Sequence, residues 1–430
     1  MSPRQSLGRT FTSLRVRNYR LFFMAQVVSL TGTWMQSVAQ MWLVLHLTGS
    51  GLALGITAGL QFTPMLLFGT WGGLIADRTD KRRLLVMTQA AAGCLALVLA
   101  VLTLLGVVQL WMVFLLAAAL GCVNVLDNPT RQSFVTEMVG AGQINNAVSL
   151  NSAVFTSARI IGPAVAGLLI AWVGTGWCFL YNGLSYVPVV VALLLMRPSE
   201  LHRALPLARA RGQIKEGLRY AWTRPELRVP LLLMLVVGTL AFNFSVLLPL
   251  MARFVFHSGA GTFGALLSLM GVGSFVGALA AATRERPTHR LLTLAALALG
   301  LLLVGAAVMP TLLLEMVILL PLGFALITFQ SAANSLLQLN SDPAHRGRVM
   351  ALYMIVFVGS TPIGGPLVGW IAQQFGPRAS LALGGVATIM GALVALRTVL
   401  RTPTFRARTE EPPAPGRAVD DRMLAGSRRG

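Results

Sequence analysis

Apolar residues gather into long runs, cut by short clusters of glycine, proline and charge. Divided at those clusters, the chain is predicted to form helices near 20–47, 52–76, 83–105, 109–138, 144–172, 176–196, 229–252, 261–282, 290–309, 312–338, 348–374 and 379–400. Crossing a bilayer takes roughly 20 apolar residues per helix, so each run reads as a span. The first begins after Arg20, is too long for a cleaved leader and has no A-x-A pattern, so it is read as a retained span. Residues 197–228 are polar with eight basic residues, and Ile214 to Trp222 has the pattern of an amphipathic helix lying on a membrane surface. Beyond Arg401, proline, glycine and charge replace apolar residues, and a disordered tail is expected. The predicted organisation is an N-terminal arm (1–19), a six-helix bundle (20–196), a linker (197–228), a second six-helix bundle (229–400) and the tail (401–430).

An internal repeat supports two halves. Ile161-Gly162, Gly167 and Gly174 recur as Ile363-Gly364, Gly369 and Gly376, at a constant offset of 202 residues. Six helices per half is an even number, so the halves share an orientation and are related by an axis along the membrane normal. The fold class expected is an all-α membrane protein, with twelve transmembrane helices in two pseudo-symmetric bundles.

Composition agrees. Of 430 residues 55% are apolar and 11% charged, and mean hydropathy is +0.73, more apolar surface than one soluble core hides. The net charge of +20 would fit nucleic acid in a soluble protein, but its placement decides otherwise. With the N-terminus inside, 31 of the 34 lysines and arginines fall on that side; Arg253 and Arg378 fall on the other and Arg159 within a span. This bias predicts both termini in the cytoplasm and basic flanks that favour anionic lipid headgroups. Platforms of aromatic and basic residues for nucleic acid are absent outside the apolar spans. Cys94, Cys122 and Cys178 lack CxxC spacing, and His46, His202, His257, His289 and His345 lack metal-ligand spacing. No phosphate loop, nucleophile elbow, HExxH helix or dinucleotide motif is found, so neither an enzyme nor a cofactor or metal is expected.

The loop after the second span reads Gly72-Gly73-Leu74-Ile75-Ala76-Asp77-Arg78-Thr79-Asp80-Lys81-Arg82-Arg83-Leu84-Leu85. It resembles the signature loop of the major facilitator superfamily, G-x-L-A-D-R-x-G-R-[KR]-x-x-L, with Asp80 where glycine is usual. Asp77 ends its helix, where the dipole disfavours a carboxylate. The resemblance implies a partner at the start of the eleventh span, near Arg346 and Arg348, and so a cytoplasmic latch that also involves Arg78 and Arg82. Arg159-Ile160-Ile161-Gly162-Pro163-Ala164-Val165-Ala166-Gly167 resembles the antiporter motif of superfamily exporters. Gly162 and Pro163 serve either close packing or a bend coupled to transport. Leu126 to Phe134 and His345 to Tyr353 resemble the branch that contains the enterobactin exporter and secretion-type efflux proteins.

Charges inside a membrane are costly and mark functional candidates. Asp127 lies about 16 Å from the cytoplasmic end of its helix and Arg159 about 22 Å into the fifth, at 1.5 Å per residue. Arg131, one turn from Asp127, competes with Arg159 as its cation. The pair is either a coupling carboxylate with its cation or a static helix-orienting contact. Ala117 stands where many superfamily exporters carry a relay arginine, and Glu315 opens the tenth span as an interfacial residue or a proton entry point. By resemblance the first, fourth, seventh and tenth helices line a cavity, with Gln26, Ser29, Trp34, Gln36, Gln40, Asn124, Asp127, Phe242, Asn243, Phe244, Gln330, Asn334 and Gln338 as its polar and aromatic members. Amides at this depth bind substrate, water or neighbouring helices. The expected function is proton-driven export of an organic solute, a siderophore or drug-like amphiphile, across a bacterial inner membrane by a monomer. An importer or lysophospholipid flippase of the same fold, or a non-transporting sensor or scaffold, is the alternative.

Overall fold

The computed structural model describes residues 12–202, 213–284, 287–343 and 345–401. The expected tail, most of the N-terminal arm and part of the linker lie outside them. The first half contains α1 (Arg17–Thr48), α2 (Gly51–Arg78), α3 (Lys81–Leu104), α4 (Leu110–Val139), α5 (Ile144–Val173) and α6 (Thr175–Leu194). The linker contributes α7 (Gln213–Thr223). The second half contains α8 (Pro225–Leu240), α9 (Phe244–Leu250), α10 (Ala260–Ala282), α11 (His289–Val308), α12 (Leu312–Asn340), α13 (Arg346–Phe375) and α14 (Pro377–Arg401). Counting Pro225–Val255 as one, eleven segments are long and apolar enough to cross a membrane. The twelfth is α1, whose 32 residues reach about 48 Å at 1.5 Å per residue. Gln26, Ser29, Gln36 and Gln40 dilute its hydropathy, and all four are buried.

Helix ends follow local chemistry. Ser50, Asp80, Thr288 and Thr311 cap α2, α3, α11 and α12, each side chain accepting from an N–H three residues on. Asp80 is thus a cap in extended conformation, so the loop has no need of the family's glycine there. The seventh crossing departs from the continuous helix expected over 229–252: α8 stops, Phe242 and Asn243 are non-helical, and α9 resumes before one π-helical turn at Met251–Val255. Asn243 compensates by donating its amide to the Thr239 carbonyl at 2.8 Å, which satisfies backbone freed by the break.

The halves meet along two equivalent seams. In one, Gly51, Gly55 and Gly59 of α2 face Gly369, Gly365 and Pro362 of α13 so closely that a Cβ on Gly55 would collide with the Gly365 backbone. In the other, Gly167 and Pro163 of α5 face Gly261 and Gly264 of α10. Ser268 adds a hydrogen bond to the Ile160 carbonyl at 2.8 Å. The sequence repeat has its physical meaning here: Gly167 and Gly369 occupy matching places in the two seams, and Gly174 and Gly376 end α5 and α13 with the same φ of 90°.

Both seams run from the sparsely charged end of the bundle to about its middle, where Leu66 meets Gly359 and Ile160 meets Gly271. Two further ties close that end. Gln373 accepts from the Ser50 hydroxyl at 2.7 Å and from the Leu52 amide at 3.2 Å. Arg253 donates to the Leu45 carbonyl at 2.8 Å. At the basic end, polar ties stay within one half or run to the linker, as with Lys81 to Glu137 and Arg348 to Glu216. The bundle is therefore shut at one end and open towards the basic end.

Replacing Gly55 by alanine should destabilise this arrangement by about 1–3 kcal/mol, the usual cost of overpacking. Gly69, on the same helix, faces only Met65 of its own helix, so Gly69→Ala should leave stability unchanged. Thermal unfolding midpoints of the two variants in detergent check the expectation; equal midpoints would deny the seam its role.

Candidate functional site

At the basic end, Asp77 is half-buried at the close of α2 and forms no ion pair among the described residues. It lines a cleft of about 210 Å³ with Arg78, Lys81, Arg82 and Glu137. The expected latch to Arg346 or Arg348 is not made in this structure, because among the described residues the seams that join the halves stop near mid-bundle, short of the basic end. Arg348 instead binds Glu216 of α7 at 2.5 Å, and Arg346 and Arg78 are exposed. Arg82 donates to the Leu193 and Leu194 carbonyls at 2.5 and 2.7 Å, closing the C-terminal end of α6 where a cation is favourable. Lys81 pairs with Glu137 at 2.6 Å with both side chains nearly buried. Glu137 was not among the sequence candidates, since its partner comes from another helix.

The linker helix sits on the start of α13 through a compact cluster. The Tyr220 and His345 rings stack at 4.2 Å, and Arg224 lies over Tyr220 at 4.4 Å. The Tyr220 hydroxyl donates to Asp342 at 2.8 Å, and Arg224 reaches the same carboxylate at 3.1 Å.

Deeper in the first half, Asp127 is buried, with both oxygens engaged. Thr88 and Gln89 of α3 donate to Oδ1 at 2.8 and 2.7 Å, while Arg131 faces Oδ2 at 3.5 Å and also donates to Asn128 at 3.0 Å. Of the two cations weighed for Asp127, Arg131 is the one in place. Arg159 instead lies 5.8 Å from the centre of the Trp34 ring, and Trp34 packs edge-on against Phe155 at 5.7 Å. Gly162 allows this, because a Cβ there would meet the Trp34 Cβ and the Thr31 carbonyl. Pro163 belongs to the α5–α10 seam.

The amide candidates divide. Gln36 is used inside the first half, accepting from Asn182 at 2.6 Å. Gln26 and Gln40 are buried and the Gln40 Nε2 has no partner among the described residues; Asn124 is half-buried. In the second half Phe242, half-buried at the helix break, packs edge-on against Phe329 and Phe357, each at 6.3 Å. Tyr353 stacks on Phe357 at 5.9 Å, and Gln330 and Asn334 lie one turn apart on α12. Asn334 accepts from Gln338 at 2.5 Å. Asn243 and Phe244 are buried in the packing around the break. The sequence reading missed Tyr353 and Phe357, although their spacing of four on one helix face was there to be read.

Glu315, read as an interfacial residue or a proton entry point, lies inside the protein packing at the start of its span. It is fully buried in the first turn of α12, and neither carboxylate oxygen has a hydrogen-bond partner among the described residues.

Two parallel six-helix halves, closed at one end around a mid-depth set of charges, aromatics and amides, define a membrane transporter of the major facilitator fold. The chain belongs to the transmembrane secretion effector family, whose profile it matches over residues 8–425. It is 24% identical over 379 residues to the staphyloferrin A transporter of Staphylococcus aureus, covering 86% of this chain and 93% of that one. It is 28% identical over 393 residues to the multidrug efflux pump Tap of Mycolicibacterium fortuitum, covering 89% and 96%. In fold it resembles an inward-facing, unoccupied bacterial homolog of the human lysosomal transporter Spinster, with TM-score 0.70, 15% identity, and coverage of 93% of this chain and 99% of that one.

The linker cluster predicts a pH response. The hydrogen bond from Tyr220, with Arg224 beside it, holds the Asp342 carboxyl below its ordinary range. A carboxyl lowered in the folded state adds stability that is present above its unfolded value and is lost as pH falls through the lowered one. Docking of α7 should therefore persist into mild acid, and Tyr220→Phe should move its loss to higher pH. Amide hydrogen exchange across 213–223, corrected for intrinsic rates, reads this directly; identical profiles for the two proteins would refute it.

Proposed function

We propose that the protein is a secondary active exporter of an organic solute, a siderophore or drug-like amphiphile, in a bacterial inner membrane. The observation that carries this reading is the pair of equivalent glycine-backed seams, which join the halves over only half their depth. A rigid half can rock on such a seam, since backbone faces backbone with few side chains to unlock. The basic end lies in the cytoplasm by the positive-inside rule, so the structure corresponds to the state that loads from inside.

The direction of transport is inferred from the relatives, among which a multidrug efflux pump covers most of this chain. The coupling ion is inferred to be the proton, with Asp127 as the group that exchanges it. In the inward-open state Asp127 is held by Thr88, Gln89 and Arg131. Rearrangement of α4 against α3 in the other state would release the carboxylate from these donors and let it take a proton. Asp77 would then meet Arg346 or Arg348 once the basic end closes, with Arg348 leaving Glu216. Substrate would occupy the space between Trp34 and Arg159 of the first half and Phe242, Gln330, Asn334 and Tyr353 of the second.

The test is accumulation of a panel of siderophores, antibiotics and dyes in cells lacking or overexpressing the protein, with and without a protonophore. Lower accumulation on overexpression, abolished by the protonophore, is expected. Higher accumulation would establish an importer instead. Asp127→Asn should reduce efflux at least tenfold at an unchanged amount of protein in the membrane, because it leaves Arg131 facing a neutral amide. Near-normal efflux by that variant would remove Asp127 from coupling.

A further inference from the structure

Arg159 lies fifteen residues beyond the start of α5, at Ile144, which is about 22 Å at 1.5 Å per residue and near the middle of a bilayer. It has no carboxylate partner among the described residues. Asp127 is committed to Arg131, and Glu315 opens α12 at the sparsely charged end, far from this depth. The Trp34 face offers the guanidinium a cation–π contact but no compensating charge. An uncompensated cation at this depth is expensive, and such residues face the bundle interior or a water-filled cavity, pair with another group there, or mark a substrate or ion path.

Its surroundings are rigid. Gly162, one turn along α5, lets Trp34 pack directly against the helix, and Phe155, one turn back, braces the same ring edge-on. Ser268 of α10 holds the carbonyl of the next residue, Ile160, at 2.8 Å. Arg159 is nonetheless only half-buried, and it sits where the α5–α10 seam ends, with its own carbonyl and Ile160 against Gly271. Trp34 and Phe155 also keep exposed surface beside it.

We infer that Arg159 is the anchor for an oxyanion, carboxylate or phosphate, carried by the transported solute, and that Trp34 and Phe155 receive the apolar or aromatic body next to it. A guanidinium presents a planar fork of donors that matches both groups bidentately. This rests on the transport reading and narrows its substrate to organic anions. Across the cavity, Tyr353, Gln330 and Asn334 supply neutral hydrogen-bonding groups, so the solute's charge is met on the α5 side alone.

The experiment uses the purified full chain and three fluorescent probes: carboxyfluorescein, 4-methylumbelliferyl phosphate and cationic ethidium. Binding is followed by anisotropy in detergent, and transport in liposomes carrying a pH gradient. The wild type should bind at least one anion more tightly than ethidium, and the tighter anion identifies carboxylate or phosphate. Arg159→Gln should raise Kd for that anion on the order of tenfold to a hundredfold and should not weaken ethidium, whose like charge the guanidinium repels. Arg159→Lys, which keeps the charge but loses the fork, should lie between. Trp34→Leu, with Arg159 intact, should weaken the aromatic anion severalfold, and it carries the test if Arg159→Gln does not reach the membrane. Unchanged anion affinity in these variants overturns the assignment. Wild type that binds and moves ethidium but neither anion also overturns it, while the exporter reading stands. Anion binding lost in Arg159→Gln, without transport of any probe by the wild type, keeps the site and removes the exporter reading.

Discussion

The approach of backbone to backbone between α2 and α13, and between α5 and α10, is the contact on which the arrangement of the molecule depends. In a bilayer, helices gain nothing by hiding apolar side chains from one another, because lipid is equally apolar; they associate through close packing and interhelical hydrogen bonds. Gly51, Gly55 and Gly59 strip one face of α2, and Gly365 and Gly369 strip the facing part of α13. The same logic holds for Gly167 and Gly264 at the other seam. Since the two seams are related by the internal repeat, neither half can shift at one without shifting at its equivalent. The closed end and the open end are thus two consequences of the same contacts.

Polar groups at depth show how differently a membrane interior treats charges. Lys81–Glu137 is a nearly buried pair at 2.6 Å near the basic end, and it ties α3 to α4. Asp127 spends three donors from two helices on one carboxylate. Losing a partner is costly in such a setting, whereas the intact cluster adds little net stability beyond fixing geometry. Arg159 and Glu315 break this pattern in opposite ways, one a half-buried cation on an aromatic face, the other a carboxyl sealed from water with both oxygens unbonded among the described residues. Groups left incomplete by a packed structure are where that structure has something left to bind.

Most of the helices could be read from the sequence because a span announces itself by length and composition, and the ends fell within a few residues of glycine, proline or a capping side chain. The break at Phe242 and Asn243 could not, since Thr239, Asn243 and Ser245 are isolated polar residues in a predominantly apolar run that a spanning helix tolerates. Asp127 with Arg131 was legible because the two share a helix face; Thr88, Gln89 and Glu137 were not, because only tertiary packing brings them there. The repeat at Gly167 and Gly369 was visible, yet its purpose emerged only when each was seen against a partner helix. Gly51, Gly55 and Gly59, spaced by four, carried the same signal and went unread. Arg346 and Arg348 were placed against Asp77 by family resemblance, and this structure shows Arg348 with a different partner. A motif names residues that meet in some state, while a single structure holds one state.

That difference has a physical content for the basic end. Arg348 can serve Glu216 or Asp77 but not both, and Glu216 belongs to a linker helix that Tyr220, Arg224 and Asp342 moor to the approach to α13. Exposed ion pairs of this kind contribute little individually, so the linker does not lock the open state; it offers the arginine a resting partner of comparable strength. Under the proposed transport cycle, closing the basic end would exchange one modest ion pair for another, and the equilibrium between states would be set by what occupies the cavity. A transporter needs that near-balance, because a ligand can shift two states only by the difference in its affinity for them. In that cycle the glycine seams would permit the motion, and an Arg348 that trades Glu216 for Asp77 would keep either end state from becoming a trap.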